Sequence, residues 1–182
     1  MNIPNFLTIL RLFFPIFIGI VCYLKLDINL EKLVILVLFI LFSLTDYFDG
    51  FLARKYNASS QMGEILDPIA DKILIIFLFF GLALNLSSYL IGFAGSLIIT
   101  REIWVSALRD FNSRNNSNAT KVVYIAKIKT SIQLFTISLY LFALAFNKMM
   151  IVLVADIFMI ISVLITLYTG YLYTIKTFDK LS

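Results

Sequence analysis

The hydrophobic positions of this chain form long stretches that short polar segments separate. Residues 33–45, 73–100, 130–147 and 157–175 contain no charged side chain. An α-helix needs about 20 apolar residues to cross the hydrocarbon core of a bilayer, so these stretches predict membrane-spanning helices. The stretch 73–100 is too long for one span, and the polar segment 85–88 in its middle predicts a turn between two antiparallel helices.

Divided at its polar breaks, the chain is predicted to be an all-α integral membrane protein. We expect six transmembrane helices in a polytopic bundle, a cytoplasm-facing polar active-site cavity and a single domain over residues 1–182. The first helix is the shortest, because only 13 residues separate Arg11 from Lys25. Either residues 3–12 lie in the membrane interface or Arg11 faces a polar cavity. The predicted helices cover residues 4–24, 33–54, 64–86, 89–111, 122–146 and 149–175.

Composition and charge agree with the membrane class and indicate an orientation. Hydrophobic residues make up 61% of the chain, and the mean hydropathy is +0.97. With the N-terminus in the cytoplasm, 12 of the 15 Lys and Arg residues lie on the cytoplasmic side, and Lys25, Lys32 and Lys148 lie outside. That asymmetry predicts a multi-pass protein of the cell inner membrane whose active site faces the cytoplasm.

The basic residues are spread over positions next to the membrane and are not gathered on one soluble face. Anionic membrane lipids and phosphate compounds are therefore expected partners, and nucleic acid is not. The tyrosines near the end of the last helix are predicted to form an interfacial aromatic belt, at positions Tyr168, Tyr171 and Tyr173.

Four carboxylates at helical spacing interrupt this apolar chain. They belong to the pattern Asp-x2-Asp-Gly-x2-Ala-Arg-x8-Gly-x3-Asp-x3-Asp, whose members are Asp46, Asp49, Gly50, Ala53, Arg54, Gly63, Asp67 and Asp71. Each charge inside a bilayer costs about 2.5–3.5 kcal/mol, which two divalent cations could offset. Two facing helices would each present two carboxylates, an arrangement suited to metal-dependent phosphoryl transfer. The alternative is that these acids pair with Arg54, Lys55 and Lys72.

The pattern matches, at every fixed position, the signature of the CDP-alcohol phosphatidyltransferases, and the chain resembles that family of membrane enzymes. The resemblance implies two Mg²⁺ or Mn²⁺ ions held by Asp46, Asp49, Asp67 and Asp71, with Asp71 as the general base. It also implies a homodimer and CDP-diacylglycerol as the donor. The positions expected to bind that donor are Asp49, Gly50, Ala53, Arg54, Gly63 and Asp67.

Further stretches resemble the bacterial branch of that family that makes phosphatidylglycerophosphate from glycerol 3-phosphate. They are residues 2–11, 66–72, 100–109 and 126–133, with Ala126 where that branch has glycine. Cations in apolar helices need partners, and the phosphate of the acceptor would suit those at Arg101, Arg109, Lys127 and Lys129. Alternatively, Glu102 and Asp110 neutralise Arg101 and Arg109 as structural ion pairs.

Three other functions stay open on the sequence. The same family could use another acceptor, such as inositol phosphate, phosphatidylglycerol or serine. An intramembrane prenyltransferase also grips a pyrophosphate with Asp-rich helices, but it needs more spans and lacks the Gly-x2-Ala-Arg element. A cation transporter could use four acids, although transport sites usually lie near the bilayer midplane and not at helix ends.

Overall fold

In the computed structural model, every described residue outside the turns belongs to a helix. The structure describes residues 13, 16, 17, 19–21, 32–41, 43, 61–114 and 124–179, and for residues 61–68, 71 and 124–127 it gives the backbone alone. We number the helices α1 (the described residues between 13 and 21), α2 (Lys32–Leu41), α3 (Gln61–Asn85), α4 (Tyr89–Arg114), α5 (Tyr124–Ala145) and α6 (Met149–Phe178).

The all-α prediction is confirmed for the described residues. The observed bounds of α3 to α6 lie within three residues of the predicted ones, a difference that helix ends commonly show. Most of the two N-terminal predicted helices lies outside the described residues. In the part of the chain that the structure describes, three helical segments are long and apolar enough to cross a membrane, namely Tyr89–Arg114, Ile128–Ala145 and Met149–Phe178. The chain is therefore a membrane protein.

Two short turns connect the helices in pairs, and both end the preceding helix in the same way. In the first, Ser88 N–H donates to the Ala83 carbonyl (3.0 Å) and Ser87 N–H to the Leu84 carbonyl (3.3 Å). This pattern is a Schellman motif, which needs a residue in the left-handed region, and Ser87 has φ 50°. The predicted turn at 85–88 is thereby confirmed.

The turn between α5 and α6 repeats that geometry. Lys148 N–H donates to the Ala143 carbonyl (2.9 Å), and Asn147 takes the left-handed position with φ 52°. Asparagine tolerates this conformation better than most residues. Because both turns are short, α3 and α4 run antiparallel, and so do α5 and α6.

The core lies where α6 packs against α5 and α4, and α3 packs mainly against α4. Fully buried aliphatic side chains fill it, among them Leu78 and Leu82 of α3 and Ile98 of α4. A glycine permits the closest approach of α3 and α4, since a Cβ at Gly95 would lie 3.2 Å from Phe79 Cβ. The helices therefore fix one another's position along most of their length.

Polar side chains on α6 form a buried stripe with helical periodicity. In a bilayer such side chains face the bundle interior, because lipid offers them no hydrogen-bond partner. The prediction of an interfacial belt is wrong for Tyr173, which is 1% exposed, whereas Tyr168 and Tyr171 are exposed. The α6 stripe, as we call it, consists of Ser162, Thr166, Thr169, Gly170, Tyr173 and Thr177.

Candidate functional site

The predicted metal and donor residues fall at the least described part of the chain. Gly63, Asp67 and Asp71 lie in the first half of α3, where the structure gives their backbone alone. The others lie outside the described residues, namely Asp46, Asp49, Gly50, Ala53 and Arg54. The two-metal arrangement and the role of Asp71 as a base stay predictions.

A hydrogen bond holds the middle of α3 against α4. Lys72, the residue after Asp71, donates from Nζ to Ser106 Oγ over 2.8 Å. Ser106 lies on α4 between Glu102 and Arg109, which are separated by seven residues and so share one face of the helix. The predicted metal helix therefore meets α4 at the level of the predicted acceptor residues.

Three of the four predicted acceptor cations have described side chains, and two of them meet at one carboxylate. Arg101 Nη1 lies 2.9 Å from Glu102 Oε1, and Lys129 of α5 donates to the same oxygen. Arg101 is 5% and Lys129 6% exposed. Glu102 thus joins α4 to α5 and compensates part of the charge that both helices bury. We call Arg101, Glu102, Arg109 and Lys129 the cationic cluster.

The α6 stripe completes the surroundings of Arg101. Its Nη2 donates to Thr169 Oγ1 over 2.8 Å, and Thr169 Oγ1 donates in turn to the Thr166 carbonyl. Its aliphatic part crosses Gly170, where a Cβ would lie only 2.9 Å from Arg101 Cγ. Arg101 Nε has no hydrogen-bond partner among the described residues.

Arg109 is held differently, because its partner is an aromatic ring. Its guanidinium carbon lies 5.3 Å from the centroid of the Tyr173 ring, and its Nη2 donates to Tyr173 Oη over 3.3 Å. Arg101 approaches the same ring, with its guanidinium carbon 5.8 Å from the centroid. Contacts at these distances are attractive cation–π interactions. Tyr173 thus bridges the two arginines of the cluster.

The alternative of structural ion pairs holds for Arg101 and not for Arg109. Glu102 does pair with Arg101. Arg109 and Asp110 enter no ion pair among the described residues, and both are exposed. Three cations and one carboxylate leave the cluster with two surplus positive charges, which is the charge of a phosphate monoester dianion with its sign reversed.

Lys127, the fourth predicted acceptor residue, lies in the first turn of α5, where the structure describes only the backbone. Lys127 and Lys129 are both helical, so they are roughly 200° apart around the axis. The contribution of Lys127 to the site stays a prediction. The structure therefore brings together Arg101, Arg109 and Lys129 of the predicted set.

The sequence reasoning missed the contribution of α6. Thr169, Gly170 and Tyr173 all contact an arginine of the cluster, yet none was a candidate. The sequence did contain a signal, which is a spacing of three or four residues from Thr166 to Thr169 or Gly170, and again from there to Tyr173. This spacing places small and polar positions on one face of an otherwise apolar helix.

Comparison with known proteins assigns this arrangement to a family. The family model described as CDP-alcohol phosphatidyltransferase matches residues 1–168. A protein of Wigglesworthia glossinidia brevipalpis, named CDP-diacylglycerol–glycerol-3-phosphate 3-phosphatidyltransferase, is 36% identical over 98% of this chain and 93% of its own. A protein of Rickettsia bellii with the same name is 37% identical over 94% of this chain and 93% of its own.

Proposed function

The chain belongs to the CDP-alcohol phosphatidyltransferase family, and we propose that it transfers the phosphatidyl group of CDP-diacylglycerol to glycerol 3-phosphate. The products are phosphatidylglycerophosphate and CMP. The names of the relatives support this acceptor. The observation that carries the proposal is the cationic cluster, whose two surplus positive charges lie on the part of α4 that packs against α3 next to Asp71.

Four carboxylates are assigned to the donor side of the reaction. Two divalent ions, Mg²⁺ or Mn²⁺, held by Asp46, Asp49, Asp67 and Asp71, would neutralise the donor pyrophosphate and the departing CMP. A hydroxyl of the acceptor attacks the phosphorus that carries the diacylglycerol. The bond between this phosphorus and the CMP oxygen breaks, and the hydroxyl proton passes to the carboxylate of Asp71.

The cationic cluster is assigned to the phosphate of the acceptor. Arg109 is exposed and carries no carboxylate partner among the described residues, so it is the cation most available to an incoming phosphate. Arg101 is buried and adds its positive charge to the cluster, and charge-assisted hydrogen bonds from Arg109 to the phosphate would be strong. Binding here would hold the acceptor hydroxyl near the Asp71 level, because Lys72 and Ser106 bring α3 against α4 at this height.

An acceptor panel tests the proposed reaction. The purified full-length protein would be incubated with CDP-diacylglycerol and, separately, glycerol 3-phosphate, inositol phosphate, phosphatidylglycerol or serine, with CMP release as the readout. We expect release with glycerol 3-phosphate and its loss when a chelator removes divalent ions. Release with only a different acceptor would overturn the choice of substrate. Release that a chelator does not affect would overturn the two-metal mechanism.

The assignment of Asp71 as base has a separate test. Asp71→Asn keeps the shape of the side chain and removes its basicity, so we expect turnover to fall by about 100-fold or more while CDP-diacylglycerol binding changes little. Asp67→Ala is the comparison, because losing a metal ligand should lower the affinity for Mg²⁺ as well as the rate, so that excess Mg²⁺ restores part of the activity. Asp71→Asn with appreciable activity would exclude Asp71 as the base.

We also propose that the active site faces the cytoplasm of the inner membrane, as the distribution of basic residues predicts. Contacts with membrane lipids, expected from the basic residues next to the membrane, and a homodimer, implied by the family resemblance, complete the proposal.

A further inference from the structure

Tyr173 occupies a position that the reaction outlined above does not yet use. It lies on the α6 stripe with 1% of its surface exposed, although its hydroxyl and ring both interact with cations. One neighbouring cation is Arg109, which donates to Tyr173 Oη over 3.3 Å and whose guanidinium carbon lies 5.3 Å from the ring centroid. Another is Arg101, at 5.8 Å from the centroid. A single buried side chain thus contacts both arginines of the cationic cluster.

The two arginines differ in the number of contacts that fix their side chains. Arg101 has Glu102 and Thr169 as partners besides Tyr173, so several groups determine its position. Arg109 is exposed, and among the described residues Tyr173 is its partner in both a hydrogen bond and a cation–π contact. A long, exposed side chain loses up to about 2 kcal/mol of rotamer freedom when it is fixed. The tyrosine therefore contributes more to placing Arg109 than to placing Arg101.

An aromatic partner suits this task better than a carboxylate. A carboxylate at position 173 would neutralise one arginine and compete with an incoming phosphate for it. The tyrosine ring attracts the guanidinium through its quadrupole without adding a net charge. The hydroxyl accepts a hydrogen bond from Arg109. Tyr173 thus holds the arginine in place and leaves both surplus positive charges of the cluster available.

We infer that Tyr173 is a positioning residue for the acceptor phosphate, and that α6 thereby determines the affinity for phosphate-bearing acceptors. The inference rests on the proposed function, since it deepens the description of the same site. Tyr173 acts through Arg109 and, to a smaller extent, through Arg101. It therefore affects the KM for a phosphate monoester and leaves the binding of CDP-diacylglycerol unchanged.

Steady-state kinetics of the purified full-length protein test the inference with two substitutions. Tyr173→Phe keeps the ring and removes the hydroxyl, and we expect the KM for glycerol 3-phosphate to rise about 3- to 10-fold. Tyr173→Leu also removes the ring, and about 30-fold or more is expected. The KM for CDP-diacylglycerol should stay within about twofold in both variants. Tyr173→Phe, which keeps the ring, should thus lose less affinity for glycerol 3-phosphate than Tyr173→Leu.

A matched control separates positioning from helix packing. Thr177 lies one turn further along the same buried stripe and accepts a hydrogen bond from Asn112 of α4 over 2.8 Å, but it is not among the groups that contact the arginines. Thr177→Val removes a hydrogen bond between the same two helices but leaves the contacts of both arginines in place. The KM for glycerol 3-phosphate should therefore stay at the wild-type value. An equal rise of this KM in Thr177→Val and Tyr173→Phe would overturn the inference.

A double-mutant cycle identifies the residue through which Tyr173 acts. In the Arg109→Lys background, Tyr173→Phe should raise the KM for glycerol 3-phosphate by less than it does in the wild type, because the two residues share one function. Fully multiplicative effects, or an unchanged KM in Tyr173→Phe, would refute the positioning role. The wild-type assay distinguishes this failure from that of the proposed function: a wild type that does not accept glycerol 3-phosphate refutes the function itself.

Discussion

At the level of single residues, Glu102 decides how much positive charge the cationic cluster presents. Its carboxylate contacts Arg101 and Lys129 from neighbouring helices, and it is itself only partly buried. Two buried cations without a counter-ion would each cost several kcal/mol. A second carboxylate would leave too little charge to attract a dianion. One acid among three cations satisfies both requirements.

Arg109 is the residue of the cluster with the clearest expected effect on catalysis. Arg109→Ala should raise the KM for glycerol 3-phosphate strongly and leave that for CDP-diacylglycerol nearly unchanged. Losing a charged hydrogen-bond partner costs about 2–5 kcal/mol, which corresponds to about 30-fold or more in kcat/KM. Arg109→Lys should recover part of the loss, since lysine keeps the charge and loses the planar fork.

Arg114→Ala provides the control for Arg109, because Arg114 is an exposed arginine in the last turn of the same helix. Its removal should leave both KM values near those of the wild type. An equal loss for donor and acceptor in Arg109→Ala, together with a lower melting temperature, would count against phosphate binding by Arg109.

Gly170 is required by the packing of Arg101. In Gly170→Ala the new Cβ would lie 2.9 Å from Arg101 Cγ and 3.2 Å from Nε, so the arginine must shift away from Thr169. Overpacking of this kind costs about 1–3 kcal/mol, and the higher helix propensity of alanine offsets roughly 1 kcal/mol of it. We expect a rise of about 5- to 10-fold in the KM for glycerol 3-phosphate.

Gly92→Ala is the matched control, measured by the same kinetics and by thermal unfolding. A Cβ at Gly92 would meet only Ala83 Cβ, at 3.8 Å, which is an ordinary contact. Its activity should be unchanged and its stability equal or higher. Identical kinetics for the two alanine variants would show that the backbone at position 170 does not place Arg101.

At the level of helices, the α6 stripe holds the bundle together through polar partners on two neighbours. Thr166 bonds Gln133 of α5, whereas Thr169 and Thr177 bond Arg101 and Asn112 of α4. In lipid, apolar surfaces supply no hydrophobic force between helices, so packing and hydrogen bonds choose the neighbours. The register of α4 and α5 on α6 thus follows from these pairs.

The Gln133–Thr166 pair between α5 and α6 should lose more stability when one partner is replaced than when both are replaced. Thr166→Val removes the acceptor of the Gln133 amide, which is 0% exposed and donates over 3.1 Å. An unpaired buried group costs about 1–3 kcal/mol, so thermal unfolding of the purified protein should occur at lower temperature. Adding Gln133→Leu removes the unpaired amide and should restore most of the stability. A double variant no more stable than Thr166→Val would contradict this account.

At the level of the whole molecule, the candidate site extends from the middle of the bundle toward the end remote from the two Schellman turns. Arg101 and Glu102 lie at the middle of α4 and Lys72 at the middle of α3, whereas Arg109 and Lys129 lie in the halves of α4 and α5 that are remote from the turns. The opposite end carries the turns near Ser87 and Asn147. An enzyme that takes soluble substrates and a lipid needs such polarity, because the water-soluble acceptor enters from one side of the membrane.

Cysteine labelling can test which side that is. In a Cys22→Ser background, which removes the single cysteine, Lys148→Cys places a thiol at the turn between α5 and α6, and Ser117→Cys places one at a sequence position between α4 and α5. We expect an impermeant maleimide added to spheroplasts to label Lys148→Cys and not Ser117→Cys, and the reverse in inverted vesicles. Labelling of the opposite variants would invert the proposed orientation.

The sequence by itself determined the features that depend on local pattern. Uncharged stretches of sufficient length predicted α3 to α6 to within three residues, and the polar segment 85–88 predicted a turn. Fixed residues at fixed spacing identified the family, which the comparisons confirm. Charges inside apolar helices also marked Arg101, Arg109 and Lys129 as a possible group, since a buried charge demands a partner whatever the fold.

Only the tertiary structure decided which partners those charges have. Glu102 shared between two cations, Gly170 beneath Arg101 and Tyr173 beneath Arg109 join residues up to 69 positions apart. Hydropathy could not reveal that Tyr173 faces inward, because lipid and helix interface are equally apolar and an aromatic residue suits either. The inward face of α6 is defined by what packs against it, and this packing exists only once the helices have assembled.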